Sequence, residues 1–126
     1  MGKRIKITSP SIGEVYAQLS SENPTTANAI WKSLPLDARV NTWGDEVYFS
    51  ISVQLDEEHS KEVVELGEIA YWPPGHALCI FFGPTPSSRG GDIRPASPVS
   101  VIGRIEGDPG VFKKVRDGEM IRLMPS

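Results

Sequence analysis

A mainly-β domain, either a closed barrel or a sandwich, is the fold class this chain predicts, and three observations carry it. Glu46–Val53 alternates strictly, with Val47, Phe49, Ile51 and Val53 on one face and Glu46, Tyr48, Ser50 and Ser52 on the other. Glu68–Trp72 and Ala77–Phe82 are short runs rich in aromatic and branched residues, each stopped by Gly or Pro. Gly/Pro turns recur between such runs, and only two short helical patterns break them up. Pattern alone does not choose between barrel and sandwich. The 126 residues fit one domain, 1–126, long enough to bury a single core, without repeats or a domain-separating linker.

The chain opens on a hairpin. Ile5 and Ile7 point inward from residues 3–8, Val15, Ala17 and Leu19 do so from Glu14–Leu19, and Pro10-Ser11-Ile12-Gly13 turns between them. A helix follows, with Asn23 placed to cap it and Pro24 suited to its first position. Its apolar face is Ala27, Ile30, Trp31 and Leu34, and Pro35 stops it. Arg39–Val53 is the next strand region, interrupted at Gly44. Gln54–Lys61, containing His59, reads as a charged surface turn, and Glu62–Leu66 leads into the central pair of strands.

Between those two strands Pro74 presets φ and Gly75 accepts a positive φ, the order a type II turn requires. Ala77–Phe82 has no polar side chain, so it belongs in the middle of a sheet. Thr85–Asp92 reads as a mobile loop without an apolar anchor. Pro95–Ile105 resumes extended structure, Asp108–Val115 is a short capped helix ended by Gly118, and Glu119–Leu123 is the last strand.

Composition excludes several classes of function. Net charge is −3 and the basic residues are scattered, with Lys113, Lys114 and Arg116 the densest group, so the basic stripe of a nucleic-acid binder is missing. The single cysteine, Cys79, requires no oxidising compartment and reads as a small, inert core residue. No apolar stretch approaches the ~20 residues of a spanning helix, and the N-terminus lacks a signal-peptide core. A soluble cytoplasmic protein with no membrane partner is the expectation.

Two blocks resemble a known family. Gly67-Glu68-Ile69-Ala70-Tyr71-Trp72-Pro73-Pro74-Gly75 with Cys79-Ile80-Phe81-Phe82-Gly83-Pro84-Thr85-Pro86, and Trp43-Gly44-Asp45-Glu46-Val47-Tyr48-Phe49, are similar to the small prokaryotic cyclophilin-like proteins, a group of largely uncharacterised function. The resemblance covers nearly the whole chain. It implies a closed barrel of about eight strands with two short capping helices, one at each end. Cyclophilins rotate the X–Pro bond, whose barrier is ~18–20 kcal/mol, with an arginine beside the prolyl nitrogen on a Phe-His-Arg strand. Here the matching strand is Tyr48-Phe49-Ser50, which puts Tyr48 in the phenylalanine's place and Ser50 in the arginine's. A neutral hydroxyl is a weaker donor than a charged one, so the resemblance implies the fold more firmly than the activity.

The candidate site is an aromatic groove with one carboxylate: Trp43, Glu46 and Tyr48 with Tyr71, joined by Phe82 and by His76 at the cleft edge. The bland alternative is that the aromatics cover a barrel end and Glu46 is solvated. A zinc reading of His59, His76 and Cys79 lacks evident convergence, so no metal and no cofactor is expected. Ser87-Ser88-Arg89-Gly90-Gly91 has the glycines of an anion nest but no P-loop context, and no Gly-x-Ser-x-Gly elbow is present. The favoured function is a barrel that binds a small molecule or an extended peptide without efficient isomerase activity. The alternatives are an active isomerase whose donor is Arg39 or Arg94, and a structural subunit that uses its aromatic surface to oligomerise, for instance as a homodimer.

Overall fold

A computed structural model describes residues 3–126. Among the described residues the strands are β1 (Arg4–Ser9), β2 (Gly13–Leu19), β3 (Leu36–Arg39), β4 (Asn41–Thr42), β5 (Glu46–Ser50), β6 (Glu68–Trp72), β7 (Ala77–Phe81), β8 (Ser100–Ile105) and β9 (Met120–Pro125). They form one antiparallel sheet in the order β3-β9-β1-β2-β8-β6-β7-β5-β4, curled into a nearly closed barrel. Helix α1 (Pro24–Ser33) and the 3₁₀ segments Pro73–Gly75 and Pro109–Lys114 complete it. No helix among the described residues is long and apolar enough to cross a membrane.

The chain itself draws the barrel shut. β3 and β4 are consecutive in sequence but lie on opposite rims of the seam, and Val40 carries the backbone across. Val40 is buried, its N–H donates to the Glu119 carbonyl at 2.9 Å, and its carbonyl accepts from Gly118 N–H at 2.8 Å. Both backbone groups of Val40 are thus paired at the crossing.

Alternation puts Ile5, Ile7, Val47, Phe49, Ile69 and Leu78 inside, where Ala27 and Ile30 of α1 pack with them, while Trp31 and Ile51 are half-buried. At the other side of the core Phe82 stacks on Phe112, with ring centroids 6.2 Å apart. β6 and β7 are buried on both faces. Their outer side chains Ala70, Cys79 and Phe81 form a second cluster with Val64, Val99 and Val101, against which Tyr48, Trp72 and Ile93 pack. That is why these runs carry so few polar residues.

Four local expectations change. Asn23 makes no cap bond to α1, because its buried side chain joins the Val101 carbonyl (2.8 Å) to His59 N–H (2.6 Å). Glu58 caps the helix from a distant loop instead, accepting from Thr26 N–H at 3.0 Å and from the Thr26 hydroxyl at 2.9 Å. The positive φ of the central turn falls on His76 (47°), not on Gly75; glycine is needed at 75 because a Cβ would meet the Trp72 ring at 2.6 Å. β5 ends at Ser50 because its partner β7 begins at Ala77, leaving Ile51 N–H to bond the His76 carbonyl at 2.8 Å.

Thr85–Asp92, finally, is stapled by polar contacts. Ser88 Oγ accepts from the N–H groups of Thr85 (2.9 Å) and Arg94 (3.2 Å), and the buried Thr85 hydroxyl donates to the Arg94 carbonyl.

The Glu58 cap is testable. Burial raises this carboxyl's pKa, but the hydrogen bonds from Thr26 and Thr25 outweigh it, leaving the group below its ordinary 4.5. A depressed carboxylate stabilises the fold above that value and ceases to as pH falls through the folded pKa. Glu58→Ala should therefore lower the melting temperature near neutral pH, and the difference from wild type should shrink in acid. A gap that is constant with pH would show that the charge of Glu58 contributes nothing.

Candidate functional site

The outer face of β5, β6 and β7 forms the floor of a cleft. Val47 and Phe49 point into the core, so Glu46 and Tyr48 point out. Tyr48 is directly opposite Cys79 on β7, and Cys79 is opposite Ala70 on β6, so the same face continues to Trp72. Trp43 joins from the turn between β4 and β5, which Trp43 N–H closes on the Glu46 carbonyl at 2.9 Å. Pro95 and Ala96 supply the far wall. Together Trp43, Glu46, Tyr48, Trp72, Cys79, Pro95 and Ala96 line a cavity of about 200 Å³.

Its walls are held in place. Tyr48 and Trp72 meet edge to face, with centroids 6.5 Å apart and planes at 72°. Trp72 Nε1 donates to Ser97 Oγ at 2.7 Å, tying the indole to the wall segment. Asp45 turns away from the cleft onto Gly83, where a Cβ would collide with its carboxyl group. Phe82 N–H bonds the Asp45 carbonyl, and Asp45 N–H the Pro84 carbonyl, both at 2.9 Å, so the covering segment starts from a fixed point.

Glu46 dominates the electrostatics. It is 4% exposed, and its Oε1 has no hydrogen-bond partner among the described residues. Burial pushes its pKa up to about 7, an effect the nearby Cys79 thiol, a weak donor, offsets only in part. Burial first and the Glu46 charge second push the Cys79 thiol well above its ordinary value. Cys79 is thus a neutral thiol at physiological pH and not an activated nucleophile. The solvated reading of Glu46 fails.

Of the residues expected to form the groove, Trp43, Glu46 and Tyr48 come together. Tyr71 and Phe82 lie inside the barrel. The Tyr71 hydroxyl donates to the Val53 carbonyl (2.8 Å) and accepts from Leu55 N–H (3.1 Å), pinning the chain beyond β5. His76 is an exposed turn residue with Nδ1 3.3 Å from that hydroxyl. Trp72, Cys79, Pro95 and Ala96 join the site without having been singled out for it. The register supplies the missing signal: Ile69 opposes Ile80 and Ile80 opposes Val47, so Tyr71 shares the inner face and Trp72 the outer.

The other candidates disperse. No group of three or more His, Cys, Asp or Glu among the described residues could hold a metal. Ser50 is exposed and its Oγ donates to the Gly75 carbonyl at 3.2 Å. Arg39 reaches the Gly118 carbonyl at 3.1 Å, and Arg94 Nε pairs with Asp92 at 2.8 Å. Neither arginine lines the cleft. In the Ser87–Gly91 loop Ser87 N–H is taken by the Thr85 hydroxyl and Arg89 N–H by the Asp92 carboxylate.

The family model described as cyclophilin-like matches residues 3–124. Among solved structures, the chain is similar to the solution structure of the hypothetical protein AF2241 from Archaeoglobus fulgidus. The two are 44% identical over 100% of both chains, with a TM-score of 0.84. No curated protein matches.

Proposed function

This chain belongs to the cyclophilin-like family, and we propose that it works as a binding barrel whose outer cleft takes one group of a small molecule or extended peptide, without efficient prolyl isomerisation. One observation carries the reading: three aromatic side chains enclose a buried carboxyl group that has an unsatisfied oxygen. Buried polar groups are ordinarily paired, and an orphan in a cleft is a group held ready for a partner. The cavity of about 200 Å³ is smaller than the ~300–1,000 Å³ of pockets for whole drug-sized ligands, so it suits a single side chain or compact molecule.

Against isomerisation stands the lining. Stabilising a twisted prolyl amide calls for a strong donor beside an apolar pocket, and charge-assisted donors are about twice as strong as neutral ones. The cleft is lined by no lysine or arginine among the described residues. Exchange NMR on a proline-containing peptide should therefore show little acceleration by the protein. Rapid exchange that Arg94→Ala abolishes would restore the isomerase.

Binding itself is read from the indole N–H signals of Trp43 and Trp72 during a screen of fragments and short peptides. Ligands that move both signals should bind Tyr48→Ala at least about tenfold more weakly, the loss of one aromatic wall. The fold should persist, because Tyr48 lies outside the main core. Equal binding by wild type and variant would place the site elsewhere.

A further inference from the structure

We propose that the group this cleft takes is an alkylammonium cation, enclosed by Trp43, Tyr48 and Trp72 and paired with the carboxylate of Glu46. This rests on the cleft being the ligand site, and it names the chemistry of the occupant. Aromatic faces carry a negative quadrupole, and Tyr48 and Trp72, packed edge to face at 72°, both line the cavity. Trp43 adds a third and Glu46 a full negative charge when ionised. An anion would meet that charge with no lysine or arginine in the lining to offset it. A wholly apolar occupant would leave Oε1, already buried, with its hydrogen-bonding capacity unused. A cation satisfies the walls and the carboxylate together.

The proton follows. Glu46, with a pKa of about 7, is largely protonated below neutrality, and a bound cation favours the ionised form. Binding below neutral pH therefore releases the Glu46 proton to solvent. The titratable groups facing Glu46 across the cleft are Tyr48 on its own strand and the neutral Cys79 thiol on β7, while Asp45 points onto Gly83. None supplies a competing cation.

The test uses choline and its neutral isostere 3,3-dimethylbutan-1-ol, followed through the Trp43 and Trp72 indole signals. Choline should bind at least about tenfold more tightly than the isostere, since the two differ essentially in charge. Its affinity should rise about tenfold between about pH 6 and about pH 8, tracking the ionised fraction of a carboxyl with a pKa near 7. Glu46→Gln should weaken choline binding and flatten that pH dependence. A short peptide bearing trimethyllysine, run beside choline, tells a free cation from a chain-borne one by which binds more tightly.

Equal binding of the isostere overturns the cation but leaves the cleft as a site. Affinity that falls as pH rises also overturns it, because Glu46 would then be donating a proton to an acceptor. If both probes leave the indoles unmoved while a fragment from the wider screen moves them, the cation alone is lost. If nothing moves them, the binding-barrel reading falls as well.

Discussion

Glu46→Gln is expected to stabilise the protein at about pH 8 by ~2–3 kcal/mol and to leave it nearly unchanged at about pH 5. Proton linkage is the cause. Burial lifts the Glu46 pKa from 4.5 in its ordinary environment to about 7, and a tenfold change in proton affinity is worth ~1.4 kcal/mol. Between those two pKa values the folded state binds the proton and the unfolded state does not. Stability referable to this group is therefore fully present below the lower value and is lost as pH climbs through the upper one. Glutamine has nearly the same shape and no charge to bury, so it escapes the loss, less a fraction for its own amide donors in the cleft. Urea denaturation of both proteins at the two pH values measures the difference of differences, in which the other titrating groups cancel. A stabilisation that is the same at both pH values would mean that Glu46 is not held in a desolvated site. Confirmation would show a carboxyl maintained in the cleft at a cost to the fold.

Gly103→Ala should destabilise the protein by ~3 kcal/mol, toward the upper end of what over-packing costs. Gly103 sits in β8 where two neighbours crowd it: it pairs with Leu19 of β2 on one side and Ile69 of β6 on the other. The register slips between Ile69 and Ala70, leaving Ile102 as an extra residue in β8. A Cβ on Gly103 would run into the Gln18 carbonyl oxygen, with Leu19 Cα at 3.2 Å. Those obstacles are backbone and cannot rotate aside like a side chain. Relief requires β2 to move from β8, which also breaks the Ser20 N–H bond to the Ile102 carbonyl at 2.8 Å. A domain of this size should lose on the order of 10 °C in melting temperature. Gly107→Ala, in open space but at a φ of 78°, is the natural comparison, since it adds backbone strain without collision. A loss at Gly103 no larger than that at Gly107 would remove the steric account.

Much of this architecture is legible in residue order, and the reasons differ by element. Val47 and Phe49 alternate with polar neighbours, so their face is unambiguous, and Glu46 and Tyr48 follow by parity. Glu68–Trp72 has no such contrast because both faces are covered, and the side Tyr71 takes cannot be read without its pairing partner. That one step of register exchanges Tyr71 for Trp72 in the cleft. Pro95 and Ala96 belong to a covering segment whose path is set by contacts far away in sequence, such as Trp72 with Ser97. Asn23 precedes a helix that starts with proline, a sound local signal, yet Val101 and His59 compete for its side chain and win. Local chemistry predicts the element. Tertiary contacts decide which side chain serves it.

The seam crossed at Val40 has a consequence for any peptide partner. Where a sheet has a long open edge, an extended peptide can add to it as one more strand and gain a row of main-chain hydrogen bonds. Here the two rims are only Leu36–Arg39 and Asn41–Thr42, and β3 lies close to β5 across the gap. Short rims facing one another offer no template to a visiting strand. A peptide bound by this barrel would instead lie across its outside, and its sequence would matter chiefly at the one residue that enters between Trp43, Tyr48 and Trp72. Selection would be for a side chain, with little regard to the strand propensity of what flanks it.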